Sequence, residues 1–470
     1  MSTSYKKPLY IVMAATAVFA SCITKKYQQP TIGQTDRLYR DTTITDTLSI
    51  ANLPATQLFT DTVLQNLIQE GIRENLDLKT AVERINEAQA NLQQSKAAFL
   101  PSLSGSATAT RAKQSAAGLN FPPEFANSIN LKTTTFQAAL NTSWEADIWG
   151  KLSSAKRAAL ASLLQTDAAK RAVQTQLVAN IANTYYNLLA LDQQLAVTQQ
   201  TLKNRIADVE TMKDLKEGAI VTGAAVVQSE ANRYAAEVTI PDLKQNIRET
   251  ENALSILLAR TPGAIKRASL SDQKPYSALQ LGLPSQLLKN RPDVQQAEYA
   301  FRSAFENTNL ARTYFYPALT ITAQGGVSSL RIRNLFDNSI FYNIVGGLTQ
   351  PIFNKGQNKA RLRIAQAQQK EAYYTFQQSL LTAGQEVSNA LYSYQNAVEK
   401  QNTRSMQLQA LEKSVTYTKE LLRYSSSTNY TDVLTSEQSL LAAQLSSVND
   451  RLQELQSIVN LYRSLGGGWK

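Results

Sequence analysis

The stretch that decides the fold is NLDLKTAVERINEAQANLQQSKAAFLP, residues 75–101, because a related stretch occurs later as RPDVQQAEYAFRSAFENTNLARTYFYP, residues 291–317. The two stretches align without a gap, and identical residues pair as Asp77–Asp293, Ala81–Ala297, Ala88–Ala304, Asn91–Asn307, Phe99–Phe315 and Pro101–Pro317. A second match follows between VVQSEANRYAAEV, residues 226–238, and VLTSEQSLLAAQL, residues 433–445. These matches predict an internal duplication of one structural unit.

Long intervals without glycine or proline surround the duplicated stretches and predict very long helices. Residues 151–217 contain neither, and apolar or small residues recur there at spacings of three and four: Leu177, Ile181, Thr184, Leu188, Leu191, Leu195, Thr198 and Leu202. We expect one helix of about 100 Å. After Gly218 and Gly223, a second helix is expected at 224–260, kinked by Pro241. The second half repeats this pattern at 357–423 and 432–465.

Two pairs of strand-like segments precede the long helices. Apolar and polar residues alternate in segments of 102–146 and of 318–352, which predicts one hairpin in each half. The first repeat is then 61–260, a linker spans 261–290, and the second repeat is 291–465, followed by a tail at 466–470. Such alternation is typical of membrane barrels, although a pair of soluble hairpins would show it too.

The composition argues against most enzyme and nucleic-acid functions. The 470 residues carry a formal charge of +11, but the basic residues are scattered rather than clustered, so nucleic acid is not an expected partner. Histidine is absent and a single cysteine is present, which removes the commonest general base and metal ligands. We therefore expect no metal, no cofactor and no enzymatic activity.

The amino-terminal sequence MSTSYKKPLYIVMAATAVFASC reads as an export signal. Two lysines precede an apolar run and a small-residue cleavage site, so residues 1–21 are expected to be a signal peptide. Cys22 would then become the acylated first residue of a lipoprotein, followed by a lipid-anchored extended segment at 22–60. An ordinary secretion signal with an incidental cysteine is the alternative.

The most unusual local motif is SWEADIWGK, residues 143–151, in which Trp144 and Trp149 bracket Glu145 and Asp147. Two acids on an aromatic platform could form a glycosidase-like pair. The corresponding stretch of the second half, TQPIFNKGQNK, has no carboxylate pair. We therefore interpret the motif as a junction, with tryptophans at a water–lipid interface and Gly150 turning the chain into the helix.

Several segments together resemble the TolC-like outer membrane factors, in particular the lipoprotein branch that serves multidrug efflux pumps. The resemblance rests on ASC, AFLPSLSGSATATR, SWEADIWGKL, LPSQLLKNRPDVQQAE, ARTYFYPALTITAQGG, GGLTQPIFNKG and NYTDVLTSEQSLLAAQ, in the family's order. It implies a mainly α fold with a two-fold internal repeat, a trimeric 12-stranded β-barrel and a long periplasmic α-helical barrel. Four strands alone are too few to close a membrane barrel, so an oligomer is expected even without the resemblance.

The function that the resemblance implies is the outer membrane exit duct of a tripartite efflux pump in a Gram-negative bacterium. Its partners would be two further copies of the chain, a periplasmic adaptor, a proton-driven inner-membrane transporter and outer membrane lipid. The cargo would be drugs or other small solutes, with an exit duct for type I protein secretion as the alternative. Two alternatives belong to other functional classes. One is an enzyme that uses Glu145 and Asp147, and the other is a structural spacer tethered by Cys22.

The resemblance also points to two pore residues near the second helical turn. Asp432 matches an acid that lines the closed pore, and Tyr424 matches the tyrosine before the turn. A second acid is replaced by Thr435, and a frequent glycine by Ser425, so the gate is less acidic than in relatives. Alternatively, Asp432 merely caps the last helix.

Overall fold

The structure is a computed structural model that describes residues 24–30, 38–40, 48–115, 131–276, 280–424 and 430–470. The signal peptide, Cys22 and Ser425 lie outside these ranges. The described chain forms two compact units. One contains the described parts of Asn86–Leu164 and Glu298–Tyr374 with residues 24–30, and the other contains the remainder. Each unit therefore takes segments from both halves of the duplication, and the sequence repeats are not compact units.

Helices dominate the described ranges. They are α1 (Ala55–Leu58), α2 (Thr62–Glu74), α3 (Leu76–Ala97), α4 (Lys151–Glu217), α5 (Gly223–Leu257), α6 (Leu287–Asn290), α7 (Pro292–Thr313), α8 (Gln357–Tyr424) and α9 (Tyr430–Ser464). Short 3₁₀ turns occur at Ile50–Asn52, Leu270–Asp272, Pro284–Gln286 and Ile332–Asn334. The strands are β1 (Ser102–Lys113), β2 (Lys132–Ala146), β3 (Ala318–Ser329) and β4 (Ile340–Thr349). The two halves thus repeat the order helix, two strands, long helix, second long helix.

The end of α5 lies before the predicted residue 260. Ala259 adopts a positive φ of 53°, and the amide of Arg260 donates back to the Ser255 carbonyl at 2.9 Å. This arrangement is a left-handed helix cap, although the residue in the left-handed position is not the usual glycine. The helix does continue through Pro241.

The first unit contains one antiparallel sheet in the order β1-β2-β3-β4. The two hairpins join through β2 and β3, where Trp144 faces Ile321 and Leu140 faces Gly325. Gly326 permits this pairing, because a Cβ there would lie 2.1 Å from the Ala138 carbonyl oxygen. Among the described strands, β1 and β4 each have one partner, so the sheet has two open edges. One face of β4 exposes apolar side chains: Ile340, Tyr342, Ile344 and Leu348.

The second unit has the larger hydrophobic core. It forms where α2, the middle of α4, the end of α5, α8 and the end of α9 pack together. The seam predicted along α4 supplies much of it, since Leu177, Ile181 and Leu188 are buried there and Leu191 and Leu195 pack against them. In the described ranges, no helix combines the length and the apolar composition that a membrane-spanning segment needs.

The last residues pack within the second unit. Leu465 and the three glycines that follow it are buried. The indole nitrogen of Trp469 donates to the Asn290 carbonyl at 3.0 Å, and the Arg171 guanidinium lies 4.8 Å from the Trp469 ring centroid. The carboxyl-terminal residues therefore fix the end of α9 beside α6.

Candidate functional site

The first candidate region is the junction between β2 and α4 in the first unit. Trp149 donates its indole N–H to the Pro317 carbonyl at 2.7 Å, and its ring packs on Tyr316 with centroids 5.2 Å apart. Gly150 has a φ of 73°, a left-handed conformation that suits glycine. The junction thus ties the start of α4 to the residues that follow α7.

Asp147 caps α4 from just before the helix. Its carboxylate accepts the amides of Leu152 and Ser153, both at 2.9 Å, and the Ser153 hydroxyl at 2.5 Å. Two of the unpaired N–H groups at the helix start are therefore satisfied by one acid. A carboxylate at this end also interacts favourably with the helix dipole.

Glu145 and Trp144 have contacts of their own. Both Glu145 oxygens accept from the Lys151 ammonium, at 3.0 and 2.9 Å. Trp144 donates its indole N–H to the Phe99 carbonyl at 2.9 Å and leaves 38% of its surface exposed. The two acids of the motif thus bind different partners, one an ammonium and one a helix end, and this arrangement favours the junction over a catalytic pair.

The cap makes a direct prediction for stability. We expect Asp147→Ala to lower the free energy of unfolding by about 1–2 kcal/mol, because two helix-end amides lose their acceptor. Guanidinium unfolding followed by circular dichroism would measure this. Asp167→Ala is the control, since this acid lies inside α4 and forms a partly exposed ion pair with Arg171. Equal losses in both variants would contradict the capping role.

The second half repeats the glycine but not the aromatic contact. Gly356 has a φ of 77° directly before α8, as Gly150 does before α4. Aligned on the helix starts, Trp149 corresponds to Lys355, and the aromatic residue of the second stretch, Phe353, is 84% exposed. The duplicated feature is therefore the left-handed turn into the long helix.

The second candidate region is the turn end of the four long helices in the second unit. Met212, Val226, Leu422, Tyr430, Val433 and Leu434 form a separate small apolar cluster there. Tyr424 is the last residue of α8 and is 85% exposed. Asp432 is also exposed, and it lies within the first turn of α9, which begins at Tyr430.

A charged cluster beside this end connects three of the helices. The Lys419 ammonium of α8 lies 2.9 Å from an Asp208 oxygen on α4 and 2.5 Å from a Glu437 oxygen on α9. Burial raises the pKa of Glu437, and the nearby Asp208 carboxylate acts in the same direction. Burial alone would lower the pKa of Lys419, but its bonds to Glu437 and Asp208 outweigh this and raise it.

Sequence reasoning missed this cluster, and it also missed a cavity at the junction. The residues that form the cluster, and those that form the cavity, are far apart in the chain, so no local motif indicates either feature. In the cavity, the Arg361 guanidinium of α8 lies 3.9 Å from the Tyr314 ring centroid, and the Asn358 amide donates to the Tyr314 carbonyl at 2.7 Å. A partial signal existed, since ARTYFYP and NKGQNKA place aromatic and basic residues at the ends of the second strand pair.

Comparison with known proteins identifies the class. A family described as outer membrane efflux protein matches residues 67–260 and 283–467, so one match falls on each half of the duplication. The chain therefore belongs to the outer membrane efflux protein family. Members of this family are channels, and the chain is an outer membrane efflux channel.

Individual relatives agree with this class. The cation efflux system protein CusC of Escherichia coli O6:H1 is 29% identical over 424 residues, 88% of this chain and 87% of CusC. The pyoverdine export outer membrane protein OpmQ of Pseudomonas aeruginosa is 29% identical over 412 residues, 87% of this chain and 85% of OpmQ.

Solved structures show the same fold. A crystal structure of CusC superposes with a TM-score of 0.82 at 26% identity, covering 95% of this chain and 100% of the chain in that crystal structure. The open state of the Neisseria gonorrhoeae MtrE outer membrane channel gives 0.81 at 25% identity, covering 95% of this chain and 98% of MtrE. The predicted mainly helical fold with a two-fold repeat is confirmed.

Proposed function

We propose that three copies of the chain form a passive exit duct of a tripartite pump, through which small solutes leave across the outer membrane. The observation that carries the proposal is the four-stranded sheet with open edges at β1 and β4. Unpaired backbone groups cost several kcal/mol each in lipid, so the edges need partners. Pairing β4 of one copy with β1 of the next would close a barrel. Three copies would supply the 12 strands that the family resemblance implies.

The proposed partners follow from the need for an energy source for export. Its sequence contains no G-x-x-x-x-G-K-[ST] nucleotide-binding loop, so energy would come from elsewhere. We place a periplasmic adaptor at the turn end of the long helices and a proton-driven transporter in the inner membrane. Acylation of Cys22 would anchor each copy in the outer membrane by lipid.

The proposed cargo is drugs or other small solutes. The related channels are named for cations, pyoverdine and toluene, which are all small. Protein secretion is less favoured, because none of these names refers to a secreted protein.

Three measurements test the duct and its partners. Native mass spectrometry of the purified protein should give three times the mature mass, and planar bilayers should show discrete conductance steps. Crosslinking in intact cells should then recover an adaptor and a proton-driven transporter. A monomer without conductance would reject the duct and favour the structural spacer, and recovery of an ABC exporter would favour secretion.

We further propose that Asp432 and Tyr424 line the closed gate of this duct. Both are exposed, Tyr424 at the end of α8 and Asp432 in the first turn of α9. Three symmetry-related Asp432 carboxylates around one axis would attract cations and repel anions. Trp144, Trp149 and Gly150 would lie at the membrane surface as the barrel–helix junction.

The gate assignment predicts a change in ion selectivity. Asp432→Asn should lower the cation-to-anion permeability ratio roughly two- to fivefold, because the ring of negative charge is lost. Reversal potentials in planar bilayers under a salt gradient would measure this ratio. Asp77→Asn is the control, since Asp77 is also an exposed acid in the first turn of a helix. An unchanged ratio in Asp432→Asn would remove Asp432 from the pore.

A further inference from the structure

A small polar cavity lies at the strand–helix junction of the first unit. Its volume is about 230 Å³, and the ends of β2, β3 and β4 contribute to its wall together with the starts of α4 and α8. Pockets for drug-sized ligands usually have about 300–1,000 Å³, so this cavity suits a small polar group. It is nevertheless far larger than the space that one water molecule needs.

One cation in this cavity has no carboxylate partner. Within the described chain, Arg361 stacks on the Tyr314 ring at 3.9 Å and approaches the Asn358 amide oxygen at 3.4 Å, but it forms no ion pair. Lys151, by contrast, is paired with Glu145. The guanidinium of Arg361 is therefore a forked donor that remains available to an anionic ligand, and phosphate is the group that such a fork binds well.

An acceptor in the same cavity also lacks a partner. The side-chain oxygen Oε1 of Gln350 is buried and has no hydrogen bond within the described residues. A buried acceptor without a donor is costly, so a ligand that brings an N–H group would stabilise it. The cavity therefore offers a donor for an anion, and a turn of the Gln350 side chain towards the cavity would add an acceptor for an ammonium group.

The charge balance of the wall restricts the ligand further. Glu145 and Asp147 contribute two negative charges, and Lys151 and Arg361 contribute two positive charges, so the net charge is zero. A ligand that is itself neutral overall, with separated positive and negative groups, matches this balance best. An anionic ligand would instead leave the occupied cavity with a net negative charge.

We propose that this cavity binds the phosphate and ammonium groups of a zwitterionic phospholipid head group, of the phosphatidylethanolamine type. Arg361 contacts the phosphate, Gln350 Oε1 and Glu145 face the ammonium, and the rings of Trp149 and Tyr314 form the wall. The inference rests on the proposed function, which puts the strand ends at the membrane surface. Head-group binding would then fix the height of the junction in the bilayer.

Intrinsic fluorescence can test the proposal, because Trp149 lines the cavity. The detergent-solubilised full-length protein is titrated with dihexanoyl phosphatidylethanolamine below its micelle concentration. Parallel titrations use dihexanoyl phosphatidylglycerol, free phosphoethanolamine and inorganic phosphate. We expect a saturable change with phosphatidylethanolamine, weaker binding of phosphatidylglycerol and none of inorganic phosphate. Trp149→Phe should abolish the signal.

Substitutions assign the two binding groups. Arg361→Gln should weaken phosphatidylethanolamine binding roughly ten- to hundredfold, because a charge-assisted hydrogen bond is lost. Gln350→Met keeps the side-chain length but removes the acceptor, and it should abolish the preference over phosphatidylglycerol. Arg363→Gln is the matched control, since Arg363 is exposed on the same helix. Should Arg361→Gln fail to form trimers, Gln350→Met decides the question.

Other results of these titrations would contradict the head-group proposal. Equal affinity in the wild type and Arg361→Gln, or tighter binding of phosphatidylglycerol, would overturn the proposal. Binding of inorganic phosphate or free phosphoethanolamine as tight as that of the phospholipid would replace the lipid by a soluble ligand. Conductance of the same preparation separates the two proposals. Conductance without head-group binding rejects the cavity, whereas binding without conductance rejects the duct.

Discussion

Replacing Arg291 by methionine is expected to lower the free energy of unfolding by about 3 kcal/mol. Arg291 belongs to the RPD segment and is 4% exposed. Its guanidinium donates to Asp293 at 2.9 Å, to Glu386 at 2.7 Å and to the Ser464 carbonyl at 3.1 Å. Methionine fills similar space but removes every one of these donors. Guanidinium unfolding of the detergent-solubilised protein, followed by helical circular dichroism, would measure the loss.

The expected value lies at the lower end of the range for breaking a buried ion pair, about 3–5 kcal/mol. Glu386 retains Arg463 at 3.5 Å, and the Asp293 side chain is 44% exposed, so neither acid is left fully stranded. Arg73→Met is the control, because Arg73 forms an exposed pair with Glu74. Surface pairs of this kind contribute at most about 1 kcal/mol. A loss no larger than that of the control would show that Arg291 does not hold the helices together.

The same variant should show a pH dependence with a defined sign. Burial alone would raise the pKa of Asp293, but Arg291 outweighs it, and the pKa lies below its ordinary value. An acid with a lowered pKa in the folded state contributes stability above its unfolded pKa, about 3.9. That contribution is lost as the pH falls through the folded pKa. The gap between wild type and Arg291→Met should therefore be constant above about pH 5 and shrink below about pH 4.

Much of the fold could be predicted because the long helices depend on local sequence. Residues 151–217 lack glycine and proline, and α4 has these bounds. The joining of the two hairpins into one sheet could not be predicted, since the pairing of β2 with β3 spans a large separation in the chain. The compact units could not be predicted either, because each combines segments from both sequence repeats.

The candidate sites show the same division between local and distant contacts. Gly150 and the Asp147 cap act within a few residues of the start of α4, so a local motif revealed the junction. The partners of Arg291 are spread over α7, α8 and α9, and the motif alone gave no hint of them. The proposed gate residues, Tyr424 and Asp432, lie at helix ends. Their meeting around an axis would depend on further copies of the chain, which a local motif does not encode.

Gly466→Ala is expected to cost about 3 kcal/mol, because two independent penalties combine. The φ of Gly466 is 88°, and an L-residue pays about 1–2 kcal/mol in this region. A Cβ would also lie 2.4 Å from the Asn290 carbonyl oxygen, and overpacking of this kind costs about 1–3 kcal/mol. The measurement is the same guanidinium unfolding. Gly356→Ala is the matched control, since its φ of 77° imposes the strain while a Cβ would meet nothing within 4 Å.

The double variant Arg291→Met with Gly466→Ala tests whether these two sites form one structural element. Arg291 binds the Ser464 carbonyl, and a Cβ on Gly466 would lie 2.9 Å from the Arg291 amide nitrogen, so both residues hold the end of α9 against the chain after α6. Residues in contact couple by about 0.5–3 kcal/mol, so the double variant should lose less stability than the sum of the single variants. Once either contact is broken, the carboxyl-terminal residues can move away and the other contact contributes less. Strict additivity would mean that the RPD segment and the carboxyl-terminal glycines stabilise the protein independently.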